Sequence, residues 1–212
     1  MKLVKLPVLL ILIAFTIKPF ERMMRDARIN MIGEGANDVL RVFAALVGMR
    51  DVGLELQRVL DAVKKPLSNL GKLSSFAGRQ IEAMFTSPSV DVNNAELESD
   101  AMRLGKLVGA FGGQVQKVLR IYQESILDRQ YQLARIADSA NELYVSACVL
   151  RRLDKLVGSG PLDAAGKLEL QTGRYYLTTA ARRIHRNLDD LWVNDDAETT
   201  SLADAMLAAY RT

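Results

Sequence analysis

From Asp38 to Val63 the apolar residues Val39, Val42, Phe43, Leu46, Met49, Leu56, Val59, Leu60 and Val63 recur mostly at three- and four-residue steps, the period of one helical face. No stretch alternates apolar and polar residues as a half-buried strand does. The expected fold is therefore all-α, an antiparallel helical bundle. Asn37 or Asp38 is placed to cap this first long helix, and Pro66 to stop it. A second helical pattern runs through Leu67, Leu70, Leu73, Ala77, Ile81 and Met84 and ends at the turn-forming "TSPSVDVNN". Three long segments follow, 95–127, 128–157 and 162–192, the last two parted by Gly158-Ser159-Gly160-Pro161, and a short helix is expected over 201–210.

Composition supports a packed core. Of the 212 residues 49% are hydrophobic and 25% charged, a balance typical of folded chains. The net charge of +3 comes from interleaved acids and bases, so no basic block points to nucleic acid as a partner. Cys148 is the only cysteine, which excludes an intrachain disulfide and a thiolate metal cluster.

The first 18 residues differ from the rest. Lys2 and Lys5 precede an apolar run from Leu6 to Ile17, shorter than the roughly 20 residues that span a bilayer. Ala14-Phe15-Thr16 makes a poor signal cleavage site. Three readings stand: a signal or anchor, a buried core helix, or foreign sequence from a truncated or misassigned start. The expected organisation is this segment (1–18), a helical unit (19–66), an amphipathic segment and linker (67–91), and a second helical unit (92–212).

Several motifs invite chemistry and decline it. Gly109 to Gln114, "GAFGGQ", lies within a helical pattern with no strand before it, so close helix packing is expected rather than a phosphate loop. "GEGAND" lacks the third glycine and the feeding strand of a dinucleotide fingerprint. His185 has no second histidine or cysteine to share a metal, and belongs to a basic helix face with Arg182, Arg183 and Arg186. Trp192, Tyr175 and Tyr176 are expected to pack.

Glu34 stands between Gly33 and Gly35 just before a helix. Little bulk surrounds it, and the helix start brings a positive dipole end. From the residues alone a structural turn is favoured over a catalytic loop.

The stretch "ERMMRDARINMIGEGANDVLRVFAAL" resembles the end of the acyl-CoA dehydrogenase fold, with its arginine-rich helix, its acid followed by glycine, and its helix opening on Asn-Asp. "DRQYQLARIADSANELYVSACVLRRL" is similar to a helix of the appended C-terminal domain of the very-long-chain branch, including its complex I assembly relative. The resemblance implies FAD as cofactor, acyl-CoA as substrate, and Glu34 as the base that removes the α proton while hydride leaves the β carbon. Burial beside an acyl chain would raise a carboxylate toward the working pH. Arg25, Asp26 and Arg28 would help build the domain around the cofactor and subunit contacts. Gly35, Asn37 and Asp38 would shape the flavin side of the loop. Gly33 stands where relatives carry an aromatic residue and Ala36 where they carry threonine, which removes one wall and one hydroxyl of the pocket.

The family's enzyme also needs an N-terminal helical domain and a β-barrel. The expectation is that these 212 residues do not retain FAD or complete an active site by themselves. The resemblance further implies a homodimer and peripheral contact with a membrane, on the bacterial cytoplasmic or mitochondrial matrix side or anchored at the inner membrane. Lys64, Lys65, Lys72 and Arg79 flank the apolar side carrying Leu70 and Leu73, a pattern suited to an anionic lipid interface or to packing on the bundle. The competing functional class is a non-enzymatic membrane-docking or assembly module.

Overall fold

The computed structural model describes residues 20–29, 31–33, 35–64 and 88–210. The hydrophobic start, residue 34 and nearly all of the 67–91 segment lie outside the described residues. Every regular element among the described residues is helical: α1 (Phe20–Ile29), α2 (Asn37–Lys64), α3 (Glu98–Tyr122), α4 (Gln130–Val157), α5 (Ala164–Asp189) and α6 (Asp196–Tyr210), with single 3-10 turns at Ala95–Leu97 and Gln123–Asp128. The chain divides into two compact units, 1–43 and 44–212.

In the first unit, α1 runs into a tight turn. The N–H groups of Ile32 and Gly33 donate to the carbonyl of Ile29, and that of Asn37 donates to Met31 at 3.1 Å. Gly35 has φ +123°, and a Cβ there would lie 3.1 Å from Leu40 Cδ2. The left-handed backbone requires glycine, and the Leu40 side chain packs close against it. Asn37 is the first helical residue of α2 rather than its cap, because the Ala36 carbonyl accepts from Leu40 N–H at 3.0 Å and so opens the helical ladder.

In the second unit, three long helices make an up-down-up bundle. The pairs Arg152–Glu169, Glu142–Arg183 and Glu142–Tyr176 join α4 and α5 with one index rising as the other falls, so these helices are antiparallel. Arg174–Asp100 and Trp192–Gln114 rise together, so α5 and its following turn run parallel to α3. The core is built on Val118, Leu133, Ile136, Leu150, Leu153 and Ile184, all almost wholly buried. Each such aliphatic side chain contributes on the order of 1.5–3 kcal/mol by leaving water. The buried stripe of α4 reads 133, 136, 139, 143, 146, 150, 153, with Ser139 and Ser146 completing a heptad-like face that the apolar residues alone leave interrupted. Ser139 satisfies its hydroxyl on the Arg135 carbonyl at 2.8 Å.

Glycines set the closest approaches. A Cβ on Gly173 would meet Leu153 Cδ2 at 2.7 Å, so α4 and α5 approach closely at this position. On α3, Gly105 and Gly109 carry the linker: a Cβ at Gly105 would lie 2.2 Å from the Pro88 carbonyl oxygen, and one at Gly109 would lie 3.3 Å from the Pro88 ring. The close helix packing expected of the "GAFGGQ" glycines is not seen among the described residues. Gly109 faces Pro88, whereas Gly112 and Gly113 have nothing among the described residues within 4 Å of a Cβ.

Other boundaries move for local reasons. The expected 95–127 helix breaks after Tyr122, where Gln123 takes φ +48° and the chain tightens into a 3-10 turn. The α5 helix begins at Ala164 because the Asp163 carboxylate accepts from Gly166 N–H at 2.7 Å. At the α4–α5 junction the left-handed glycine is Gly160, with φ +111°, and Gly158 stays helical. The final helix starts at Asp196, not Ser201, and none of its residues is buried. His185 is exposed as its basic face predicts, but Tyr175 is 68% exposed and is not the packing residue expected, because its position on α5 faces away from α4.

Candidate functional site

The turn between α1 and α2 holds most of the residues singled out in the sequence. Arg25, Asp26 and Arg28 lie exposed on α1, where Asp26 pairs loosely with Arg22 at 3.5 Å. Gly35 forms the turn described above. Asn37 and Asp38 open α2, and the Asp38 side chain is 93% exposed and reaches Arg41 at 3.4 Å. Glu34 lies outside the described residues, so its geometry is not part of the site. The described turn does bring Gly33, Gly35 and the start of α2 together, which gives an anion or a carboxylate there the favourable end of the α2 dipole.

These residues do not by themselves fit a flavin. Asn37 and Asp38 point their polarity at solvent, and Asp38 is engaged with its own helix. A flavin ring needs an enclosing apolar wall with a few convergent polar groups, and the described part of the first unit supplies exposed side chains instead. Lys65, Leu70, Lys72, Leu73 and Arg79 fall outside the described residues, and Lys64 ends α2. No helix among the described residues is long and apolar enough to cross a membrane. No group of described His, Cys, Asp and Glu residues is placed to hold a metal, and Cys148 is free and exposed.

The second unit contains polar clusters that sequence periodicity does not reveal. Asp154, buried on α4, accepts from the backbone N–H groups of Asn93 and Asn94 at 3.0 and 3.1 Å and from both side-chain amides at 2.8 and 2.7 Å. The Asn93 backbone and Asn94 side-chain donors hold its carboxyl below the usual range. This clasp fixes the end of the linker to α4 across about sixty positions of sequence. Glu142 accepts from Arg183 at 2.5 and 2.9 Å and from the Tyr176 hydroxyl at 3.0 Å. Its pKa is lowered, chiefly by the Arg183 hydrogen bonds, while burial and the same carboxylate raise that of Tyr176. Asp100, buried on α3, takes Arg174 at 3.1 Å and also Arg103. Arg135 holds Asp196 in a two-pronged pair at 2.6 and 2.7 Å, which ties the start of α6 to α4 and raises the guanidinium's pKa.

These clusters are fasteners. Each joins two elements, and all the side-chain donors and acceptors buried from solvent are satisfied among the described residues. An acid separated by sixty residues from a pair of asparagines carries no local signature, which is why the Asp154 clasp cannot be found from spacing.

Comparison with known proteins agrees with this architecture. The family described as "ACAD9/ACADV, C-terminal domain" matches residues 95–209, the bundle from the first 3-10 turn almost to the end of α6. The chain is 34% identical over 175 residues to the mitochondrial very long-chain specific acyl-CoA dehydrogenase of Mus musculus, covering 81% of this chain and 26% of that protein. The Homo sapiens counterpart is 35% identical over 144 residues, 66% of this chain and 22% of that protein. A probable acyl-CoA dehydrogenase, FadE10, of Mycobacterium tuberculosis is 24% identical over 204 residues, 89% of this chain and 30% of that protein. The chain belongs to the ACAD9/ACADV C-terminal domain family, the all-α appended domain of very-long-chain acyl-CoA dehydrogenases. It spans about a quarter of the length of the curated relatives it matches.

Proposed function

We propose that the chain acts as the C-terminal part of an FAD-dependent acyl-CoA dehydrogenase of fatty-acid β-oxidation. Residues 19–66 end the catalytic helical domain, and residues 92–212 form the appended bundle. The observation that carries this reading is the match of residues 95–209 to the family's C-terminal domain, together with similarity to whole acyl-CoA dehydrogenases that extends well upstream of it. The alignment covering 89% of the chain necessarily takes in the Gly33–Gly35 turn.

Glu34 is the residue assigned to remove the α proton of the acyl thioester. The Gly33 and Gly35 flanks leave room for the thioester to approach, and an acyl chain against the carboxylate would raise its pKa toward neutrality. The exposed Asn37 and Asp38 argue that the flavin is enclosed by protein beyond these 212 residues, with Gly35 setting the backbone of the rim. A homodimer and peripheral contact of the 67–91 segment with anionic lipid belong to the same reading, as does a mitochondrial-matrix or bacterial cytoplasmic setting. A helical docking or assembly module is the second reading, favoured by the one fact that the family match is confined to the bundle.

The test joins the 212 residues to the preceding portion of the mouse relative and compares Glu34 with Glu34→Gln. Retained flavin with dehydrogenation lowered about 10²–10⁴-fold supports the base assignment. Full activity in Glu34→Gln refutes it.

A further inference from the structure

The last helix of the second unit is held by its polar side. Arg135 grips Asp196 at the start of α6, and Thr200, Ser201 and Asp204 line an aromatic cleft with Tyr131 and Trp192. Residues two positions further on fall on the opposite side of a helix. There stand Leu202 and Met206, with Tyr210 one turn later and Leu207 beside them. These four are 53–86% exposed, and α6 buries no residue. An apolar stripe that faces water while the polar side faces the bundle reverses the usual arrangement of a surface helix and marks a surface for something to cover.

Charge decides between the candidate occupants. From Asn187 to Tyr210 the chain carries acids and no lysine or arginine. Arg135 takes Asp196, and Glu198 and Asp204 keep α6 net negative. A second copy of α6 would bring like charge to the same face, which opposes pairing. Between Ala62 and Ile81, by contrast, stand Lys64, Lys65, Lys72 and Arg79 and no acid. In that stretch Leu70, Leu73, Ala77 and Ile81 recur at three- and four-residue steps. An apolar stripe with charge opposite to that of α6 is thus written into the same chain.

That segment is tethered within reach. It leads into Pro88, which seats on Gly105 and Gly109 of α3. Further along α3, Gln114 holds Trp192 just ahead of α6. About 8 Å of helix axis parts Gly109 from Gln114, whereas an extended chain covers up to about 3.3 Å per residue, so the residues before Pro88 can span the gap. The tether also makes the encounter intramolecular, with an effective concentration on the order of millimolar.

We propose that the apolar face of α6 is the docking surface for the chain's own basic segment 67–84, with Leu70, Leu73, Ala77 and Ile81 covering Leu202, Met206 and Tyr210, and with Lys72 and Arg79 set toward the acids of α6. The docking does not rest on the dehydrogenase reading or on lipid contact. Its consequence is that the segment's apolar side is withheld from other partners while α6 holds it.

Hydrogen exchange of the α6 amides in the full chain tests this, because the segment variants leave the sequence of α6 unchanged. Leu70→Asp/Leu73→Asp should speed α6 exchange about tenfold, with exchange of the α4 and α5 core as the check on the fold. Lys72→Glu/Arg79→Glu should speed it a few-fold, and adding Glu198→Lys/Asp204→Lys should restore the parent rate. Leu168→Asp, an exposed change on α5, is the control that should leave α6 unaffected. Unchanged α6 exchange in Leu70→Asp/Leu73→Asp overturns the proposal. So does protection that rises with protein concentration, which would assign the face to a second copy.

Discussion

Replacing Gly173 by alanine sets two opposed effects against each other. A helix-interior glycine costs about 1 kcal/mol relative to alanine, so the substitution alone would stabilise α5. The new Cβ, however, would lie 2.7 and 2.8 Å from the two methyls of Leu153 and 3.0 Å from its Cγ. Leu153 is itself almost wholly buried and cannot swing into solvent. Forcing a methyl into such a contact costs roughly 1–3 kcal/mol. The net expectation is destabilisation of about 1–2 kcal/mol. Gly112→Ala and Gly113→Ala provide the contrast, since neither new Cβ meets a described atom within 4 Å, and each should stabilise by about 0.5–1 kcal/mol. Urea unfolding followed by circular dichroism and Trp192 fluorescence measures all three against the parent, with comparable slopes required for the comparison. If Gly173→Ala proves as stabilising as Gly112→Ala, the close α4–α5 contact is wrong.

Other consequences follow from the same packing. Ile184→Ala, at a fully buried core position, should lower unfolding free energy by about 2–5 kcal/mol in the same urea assay. Arg135→Met removes the two-pronged partner of Asp196 and should cost about 1.5–3 kcal/mol, with helicity lost first from α6, which buries no residue of its own; hydrogen exchange resolves that helix from the bundle. Glu142 and Asp154 have pKa values lowered in the fold, so their contribution is complete above the unfolded carboxylate range of about pH 4–4.5 and is lost as pH falls through their lower folded values. Acid titration of stability should therefore show a decline below about pH 4.5 that is smaller in Glu142→Gln and in Asp154→Asn than in the parent.

The helices were legible because their apolar residues obey a 3.6-residue period, whereas the Asp163 cap that fixes where α5 begins was not picked out in the sequence. Boundaries shifted where backbone geometry overrode that period, as at Gln123 with its positive φ. The α4 stripe was only partly visible because Ser139 and Ser146 occupy buried positions that hydrophobicity does not mark. Tyr175 and Tyr176 illustrate the limit of residue type as a guide: adjacent on α5, one faces solvent and the other reaches Glu142. At the turn, the glycines flanking Glu34 suggested a structural turn, the positive φ that demands glycine at position 35 emerged only in the fold, and the chemical role of Glu34 rests on family resemblance. The Asp154 clasp and the aromatic cleft arise from residues far apart in sequence, and only the folded bundle joins them.

The division of labour proposed for this chain can be tested most directly with flavin. The purified 212 residues are incubated with FAD, freed of unbound cofactor by gel filtration, and exposed to a long-chain acyl-CoA while visible flavin absorbance is followed. The account predicts a folded helical protein that carries no flavin through the column. Flavin that stays bound and is bleached by the acyl-CoA would contradict it, because these residues would then complete an active site unaided.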